Sequence, residues 1–269
     1  MNRIALLMLI ACCGTSVARA EIPFAATVVR DAEGGVIRGD VETKRLALIF
    51  TGDKFGESAT PILDELAKRR IKGSFFLTSA FVEQDSLRPA IKRMVDEGHY
   101  IGPHSDAHPL YAPWDDRRKS LVTAEFFTGD LQKNIDGLRG VGALPQGTPV
   151  LFVPPYEWYN AEQVAWSDAM GVGLINFTPG SGSNRDYARE GDRVFVPSQR
   201  ILDDVLAYEL DDPHGLNGFL LLLHLGSGRR DPFHPRLGPL CDKLTQRGYR
   251  FARVDELLLA PPGKSATSR

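Results

Sequence analysis

His104 and His108, four positions apart in GHYIGPHSDAH, are the residues of this chain whose type and spacing most directly suggest chemistry. Two imidazoles so spaced can face one divalent ion where the chain makes a helical turn. Asp53, just after the apolar run of LALIFTGD, offers an anionic third ligand. The resulting N₂O set leaves positions for water and a substrate oxygen. Zinc suits such a set, while ligand type alone leaves cobalt, nickel and manganese open. A metal held in this way polarises a carbonyl and lowers the pKa of bound water, as hydrolysis of an amide or ester requires. His224, at the end of FLLLLHLG, is placed to protonate the leaving group as a general acid. Bland readings stand beside these: Asp53 as a turn or cap carboxylate, and His224 as a histidine satisfied in a polar network.

A second group of residues points to a saccharide. Val153 to Trp158 ends an apolar segment with an aromatic and a carboxylate. Tyr156 is a candidate substrate residue whose backbone N–H can hold an oxyanion, although a Pro-Pro turn with packed rings explains the segment equally well. Trp114 and Trp158 offer faces on which a sugar ring can stack; burial in the core is the ordinary alternative. His99 reads as structural, and His214 and His234 lie in loop-like segments with no assigned role. Whether Asp186, Arg185 and Arg189 reach the site is left open by sequence.

These groups must be positioned by elements, and the chain alternates strands with helices. Strand-like runs cover Arg45 to Thr51, Ile71 to Leu77, Tyr100 to Gly102, Leu151 to Val153, Val172 to Asn176, Phe219 to His224 and Tyr249 to Val254. Between them, helices are expected at Ile62 to Arg70 (Thr60 as cap, Pro61 at the first position), Leu87 to Glu97, Lys119 to Arg139, Ala161 to Met170, Ile201 to Leu210 and Leu237 to Gln246, with a closing turn at Asp255 to Leu259. Three apolar runs that each deliver a polar group at their C-terminal end read as parallel strands feeding one mouth. About seven strands with helices between them favour a modified barrel over an open sheet.

Residues 1–20 have a basic Arg3, a short apolar stretch and Ala18-Arg19-Ala20, the form of a secretory signal peptide; Cys12 permits a less favoured lipoprotein reading. The expected organisation is a signal peptide over 1–20, one catalytic domain over 21–260 and a tail over 261–269, with export to the periplasm or outside the cell. Cys241 is the one cysteine beyond that leader, so the fold must rest on core burial rather than on an internal disulfide. A formal charge of -2 carries no basic excess of the kind nucleic acid or an anionic membrane would require. No segment after the leader reads as an integral membrane span. The oligomeric state is not legible, and no glycine-rich segment has the spacing of a dinucleotide or phosphate loop.

The motifs together resemble the polysaccharide deacetylase family, related to the nodulation-factor chitooligosaccharide deacetylase. His104-Ser105-Asp106-Ala107-His108 is similar to the family's two-histidine metal motif, and Leu223-His224 to its late leucine-x-histidine region. The resemblance spans roughly Arg45 to Leu258. It implies a distorted (β/α)7 barrel that removes N- or O-acetyl groups from carbohydrate with one divalent ion, His224 serving as acid. Two motifs depart. Where the family has Thr-Phe-Asp-Asp-Gly, with the first aspartate as base and the second on the metal, this chain has Phe50-Thr51-Gly52-Asp53-Lys54. Asp53 then serves either as base, which leaves the metal only two histidines, or as metal ligand, with metal-bound hydroxide, Glu57 or Asp106 compensating for the base; the metal role is preferred because two neutral histidines alone hold a dication poorly. The family's Arg-x-Pro-Tyr becomes Val153-Pro154-Pro155-Tyr156, which removes the arginine that steadies that base. Two other functions remain open: a non-catalytic carbohydrate-binding protein on the same fold, and a metal-dependent hydrolase of a small non-carbohydrate amide.

Overall fold

The computed structural model describes residues 21–261, so the expected leader and all but the start of the expected tail lie outside the described residues. The chain opens with a short antiparallel pair, β1 (Val29–Arg30) and β2 (Val36–Arg38). Strands then alternate with helical segments: β3 (Arg45–Gly52), α1 (Ala59–Arg69), β4 (Ser74–Leu77), the single turn α2 (Ser79–Val82) followed by α3 (Arg88–Asp96), and β5 (Tyr100–Pro103). A long loop then leads to α4 (Ala124–Gly140), β6 (Val150–Phe152), α5 (Ala161–Ala169) and β7 (Val172–Leu174). The last part is α6 (Ser198–Asp211), β8 (Leu220–His224), α7 (His234–Gln246), β9 (Arg250–Phe251) and α8 (Val254–Leu258).

The strands β5-β4-β3-β8 form a parallel sheet, with β9 added to the start of β3, and β6 and β7 form a separate parallel pair. Two weak joins close the ring. The Val153 N–H reaches the Pro103 carbonyl at 3.4 Å beyond β5 and β6, and the Thr178 N–H reaches the Leu220 carbonyl at 3.1 Å. At the second join β2 wedges in, bridging to Ile175 and Phe219. The result is the distorted (β/α)7 barrel expected from the motifs, made of β3 to β9.

Side-chain alternation along β3 sorts the core into two layers. Leu46, Leu48 and Phe50 face the helices and meet Leu63 and Leu66 of α1 in the outer cluster. Ala47 and Ile49 face inward, where they join Phe76, Leu220, Leu222, Val153 and Ile175. Each such buried leucine or phenylalanine stabilises the fold by about 1.5–3 kcal/mol. Coverage on both faces is why β3 and β8 read as unbroken apolar runs.

Several sequence expectations shift. The N-cap of α1 is Ser58, not Thr60, which lies inside the first turn. The long helix begins only at Ala124, where Thr123 Oγ1 accepts the Phe126 N–H at 3.3 Å; Leu121 precedes it on an exposed loop. The strand expected over 249–254 shortens to Arg250–Phe251, because Val254 already starts α8 and its N–H donates to Ser74 Oγ.

Candidate active site

The parallel strands deliver Asp53, His104 and His224 to the same end of the barrel, as their position after apolar runs requires. With His108 they line one cavity of about 450 Å³, together with Trp114, Tyr156, Glu157 and Tyr187.

His104 follows β5 directly. Its N–H donates to Asn134 Oδ1 at 3.0 Å, and its Nδ1 lies 2.7 Å from the Val153 carbonyl. A carbonyl only accepts, so Nδ1 carries the proton and Nε2 is left with its lone pair. Burial holds the ring well below the ordinary histidine pKa, with the neighbouring His108 adding to the effect. His108 is likewise lowered by burial, Asp53 opposing. Both rings are therefore neutral near pH 7, the form that ligates metal.

The segment between them is not the helical turn that the spacing suggests. Ser105 and His108 have φ of 81° and 53°, in the left-handed region. That conformation costs of order 1–3 kcal/mol per non-glycine residue. It is held by Asp130 on α4, whose Oδ2 and Oδ1 accept the N–H groups of Asp106 at 3.1 Å and Ala107 at 2.8 Å. The His108 N–H also donates to Ser105 Oγ at 2.9 Å. The two ring centres come to 5.0 Å.

That distance tests the fit to a metal. Imidazoles sharing one ion at bonds of about 2.1 Å place their ring centres roughly 5 Å apart, so the histidine pair fits. Asp53 stands on the same mouth, with Oδ1 accepting from Thr78 Oγ1 at 3.0 Å. Among the described residues no three histidine, cysteine, aspartate or glutamate side chains are already gathered tightly enough to hold an ion. Two neutral imidazoles beside a carboxylate are nonetheless the donor chemistry of a divalent site.

Across the cavity, His224 is clamped by a residue that sequence left undecided. Asp186 Oδ1 lies 2.7 Å from His224 Nδ1, and Oδ2 accepts the His224 backbone N–H at 2.9 Å. Burial works against the charged ring, but Asp186, and Glu157 more weakly, overcome it, and the His224 pKa stands above the ordinary value. The pair keeps a proton on Nδ1 and leaves Nε2 to act. Arg185 instead pairs with Asp204, and Arg189 lies 4.6 Å over the Phe55 ring while donating to the Ser227 carbonyl at 2.6 Å.

Glu57, expected as a substitute base, is placed elsewhere. Its Oε1 accepts the N–H groups of Ser227 at 2.8 Å and Gly228 at 2.6 Å, pinning the loop after β8, and it does not line the cavity. Asp106 is turned away and paired with Lys133 at 2.7 Å. Of the aromatic candidates, Trp114 is 62% and Tyr156 47% exposed, and both line the cavity; the Tyr156 ring centre is 4.6 Å from that of His108. Trp158 does not reach it. Its Nε1 donates to the Pro113 carbonyl at 3.2 Å, and its ring supports Trp114 from behind at 5.5 Å, with Arg117 over it.

The motif departures have physical correlates. A Cβ on Gly52 would come within 2.7 Å of the Phe81 ring and 2.9 Å of Leu225, both fully buried. Val153 is fully buried in the barrel interior, where it contributes its carbonyl to His104. Asp130, Asn134 and Glu157 were not singled out by sequence. Glu157 alone left a signal there, as a carboxylate directly after the Pro-Pro-Tyr turn.

Residues 38–175 match the model of the family described as polysaccharide deacetylase. The chain is 28% identical over 232 residues to a chitooligosaccharide deacetylase of Bradyrhizobium sp., covering 81% of this chain and 93% of that one. It is 40% identical over 219 residues to a peptidoglycan-N-acetylglucosamine deacetylase of Listeria monocytogenes, where the match covers 80% of this chain but 39% of the relative. Among solved structures, the family 4 carbohydrate esterase PdaA of Bacillus subtilis superposes with a TM-score of 0.66 at 22% identity, over 83% of this chain and 84% of that one. A family 4 pseudoenzyme from Bacillus anthracis superposes with a TM-score of 0.63 at 22% identity, over 84% and 69%. With the metal-motif histidines, the late histidine and the barrel all in place, this chain belongs to the polysaccharide deacetylase family.

Proposed function

We propose that the chain is an exported, metal-dependent deacetylase that removes acetyl groups from an oligo- or polysaccharide. The observation that carries this reading is the convergence of His104, His108, Asp53 and the Asp186–His224 pair on one cavity walled by exposed aromatic rings. His104, His108 and Asp53 would hold the ion, and zinc fits their donor types. When bound, it polarises the acetyl carbonyl and acidifies water.

The protein's own groups supply the rest. Trp114 and Tyr156 offer apolar faces against which a pyranose ring can lie. The backbone N–H of Tyr156, in the left-handed turn that follows β6, is suited to the carbonyl oxygen as it gains charge. His224, kept protonated by Asp186, gives its Nε2 proton to the departing nitrogen or oxygen as the bond to the acetyl carbon breaks. Export rests on the leader-like first twenty residues; no described helix is long and apolar enough to cross a membrane.

The test is acetate release by the purified chain, stripped by a chelator and reloaded with zinc, from N-acetylated and O-acetylated oligosaccharides, beside Asp53→Ala and His224→Ala. Zinc-dependent release that both variants lose is expected. A second reading has specific support in Gly52 and Val153, which remove the family's base and its arginine. A carbohydrate-binding protein without turnover would bind zinc and oligosaccharide and release no acetate across the panel.

A further inference from the structure

Gly52 leaves the proposed hydrolysis without the aspartate that family members use as base, and steric contact with Phe81 and Leu225 shows that the position itself has been filled by other side chains. The replacement must be a group on the cavity with a free lone pair. The nearby carboxylates can be taken in turn. Glu57 is spent on two backbone N–H groups and Asp106 on Lys133. Asp130 holds the histidine loop and Asp186 holds His224. Asp53 is held by Thr78 and is the carboxylate suited to the metal.

Glu157 remains. It lines the cavity with His104, His108 and His224, and among the described residues its carboxylate has no hydrogen-bond or ion-pair partner. Its backbone is unusual as well. Tyr156 and Glu157 have φ of 58° and 53°, two consecutive non-glycine residues in the left-handed region. The turn is fixed from outside, since Asn176 Nδ2 donates to the Glu157 carbonyl at 2.8 Å. Strain of of order 1–3 kcal/mol per residue that is locked in by a neighbouring element is the pattern expected where a side chain must be aimed.

We propose that Glu157 is the general base of this enzyme, taking over from the aspartate absent at Gly52; the proposal rests on the deacetylase reading above. In the reaction, a Glu157 carboxylate oxygen accepts a proton from water as the water oxygen bonds to the acetyl carbon and the carbonyl π pair moves to its oxygen. Collapse re-forms that carbonyl and breaks the bond to the sugar nitrogen or oxygen, which takes its proton from His224. The products are acetic acid, which ionises to acetate, and the free amine or hydroxyl; Glu157 releases its proton to solvent and His224 takes one up, which restores both groups for the next turnover.

The electrostatics agree with the geometry. Burial pushes the Glu157 carboxyl up to about 7, His224 opposing and Asp186 reinforcing the rise. A carboxylate poised near neutral pH is a stronger base than an exposed one and is still available to act. Lys54, Asp53, His104, His108, Tyr156, Tyr187 and His224 are the titratable groups sharing its cavity.

The experiment measures acetate release, zinc content and Tm for wild type, Glu157→Gln, Glu157→Asp and Glu157→Ala. Expected are a fall in kcat of roughly 10²–10⁴-fold in Glu157→Gln with one zinc retained and Tm unchanged within a few degrees, partial activity in Glu157→Asp, and recovery of Glu157→Ala by added formate. Activity of Glu157→Gln within about threefold of wild type overturns the assignment while leaving the deacetylase intact. Loss of zinc from Glu157→Gln overturns it too, by making Glu157 a ligand. If the wild type itself releases no acetate from any substrate, the functional reading fails and the assignment falls with it.

Discussion

Removing Asp130 should weaken metal binding without touching a ligand. The carboxylate accepts two N–H groups of the histidine loop, at 3.1 and 2.8 Å, and is itself buried on α4. Asp130→Ala leaves both donors without their acceptor, at about 1–3 kcal/mol each. The loop is only partly buried, so water recovers some of this, and the lower end applies: about 2–3 kcal/mol in total. Ser105 and His108 already carry left-handed strain, which relaxes once the clamp is gone. The loop then leaves the conformation that brings the imidazoles to 5.0 Å.

A binding-competent state reduced in population lowers apparent affinity by the same factor. At about 1.4 kcal/mol per tenfold, zinc affinity should fall by roughly 10²-fold. Chelator competition on the zinc-loaded protein measures this directly. Asp130→Asn, which keeps one acceptor oxygen, should lie between. Lys133→Ala is the control, because its contact with Asp106 is largely solvent-exposed and such pairs are worth about 0–1 kcal/mol. If Asp130→Ala binds zinc within about threefold of wild type, the clamp does not set the ligand geometry and the reasoning fails.

Three further outcomes follow from the same site. Gly52→Asp, which writes the family's missing carboxylate back, should cost about 1–3 kcal/mol by overpacking Phe81 and Leu225, lower Tm by roughly 2–4 °C per kcal/mol, and leave turnover no higher; faster acetate release at unchanged Tm would contradict this. Asp186→Asn removes the negative charge that raises His224, so the His224 pKa drops and the alkaline limb of the kcat profile moves to lower pH, with a loss of roughly 10²-fold or more from the weakened tautomer lock; an unmoved limb assigns it to another group. Trp114→Ala, at an exposed ring, should raise KM for oligosaccharides about tenfold with kcat and Tm nearly unchanged; an equal loss in kcat would give the ring a part in the reaction itself.

What was legible in the sequence follows from how each residue is placed. Asp53, His104 and His224 sit at the ends of strands buried on both faces, and continuous apolar runs mark such ends plainly. His108 was legible by spacing, yet its backbone was not: the left-handed residues at 105 and 108 are not glycines, and beyond the Ser105 Oγ contact with the His108 N–H the conformation depends on Asp130 from another element. The same limit explains Glu57. It and Glu157 both follow strand ends in polar segments, and only the fold shows that the first meets the amide groups of Ser227 and Gly228 while the second meets none.

This difference bears on how the site diverged. In the pattern that the motifs resemble, a base stands at position 52 and an arginine at position 153, just after β6; here Phe81 and Leu225 crowd the first position and Val153 makes the second apolar. The 155–157 turn borders the same cavity, is held by Asn176, and carries a glutamate. The proposed metal ligands and acid do not depend on that pair: His104 leans on the Val153 backbone and His224 on Asp186. On the proposed assignment, the base has moved from one strand end to another while the proposed ligands and acid stay where they are.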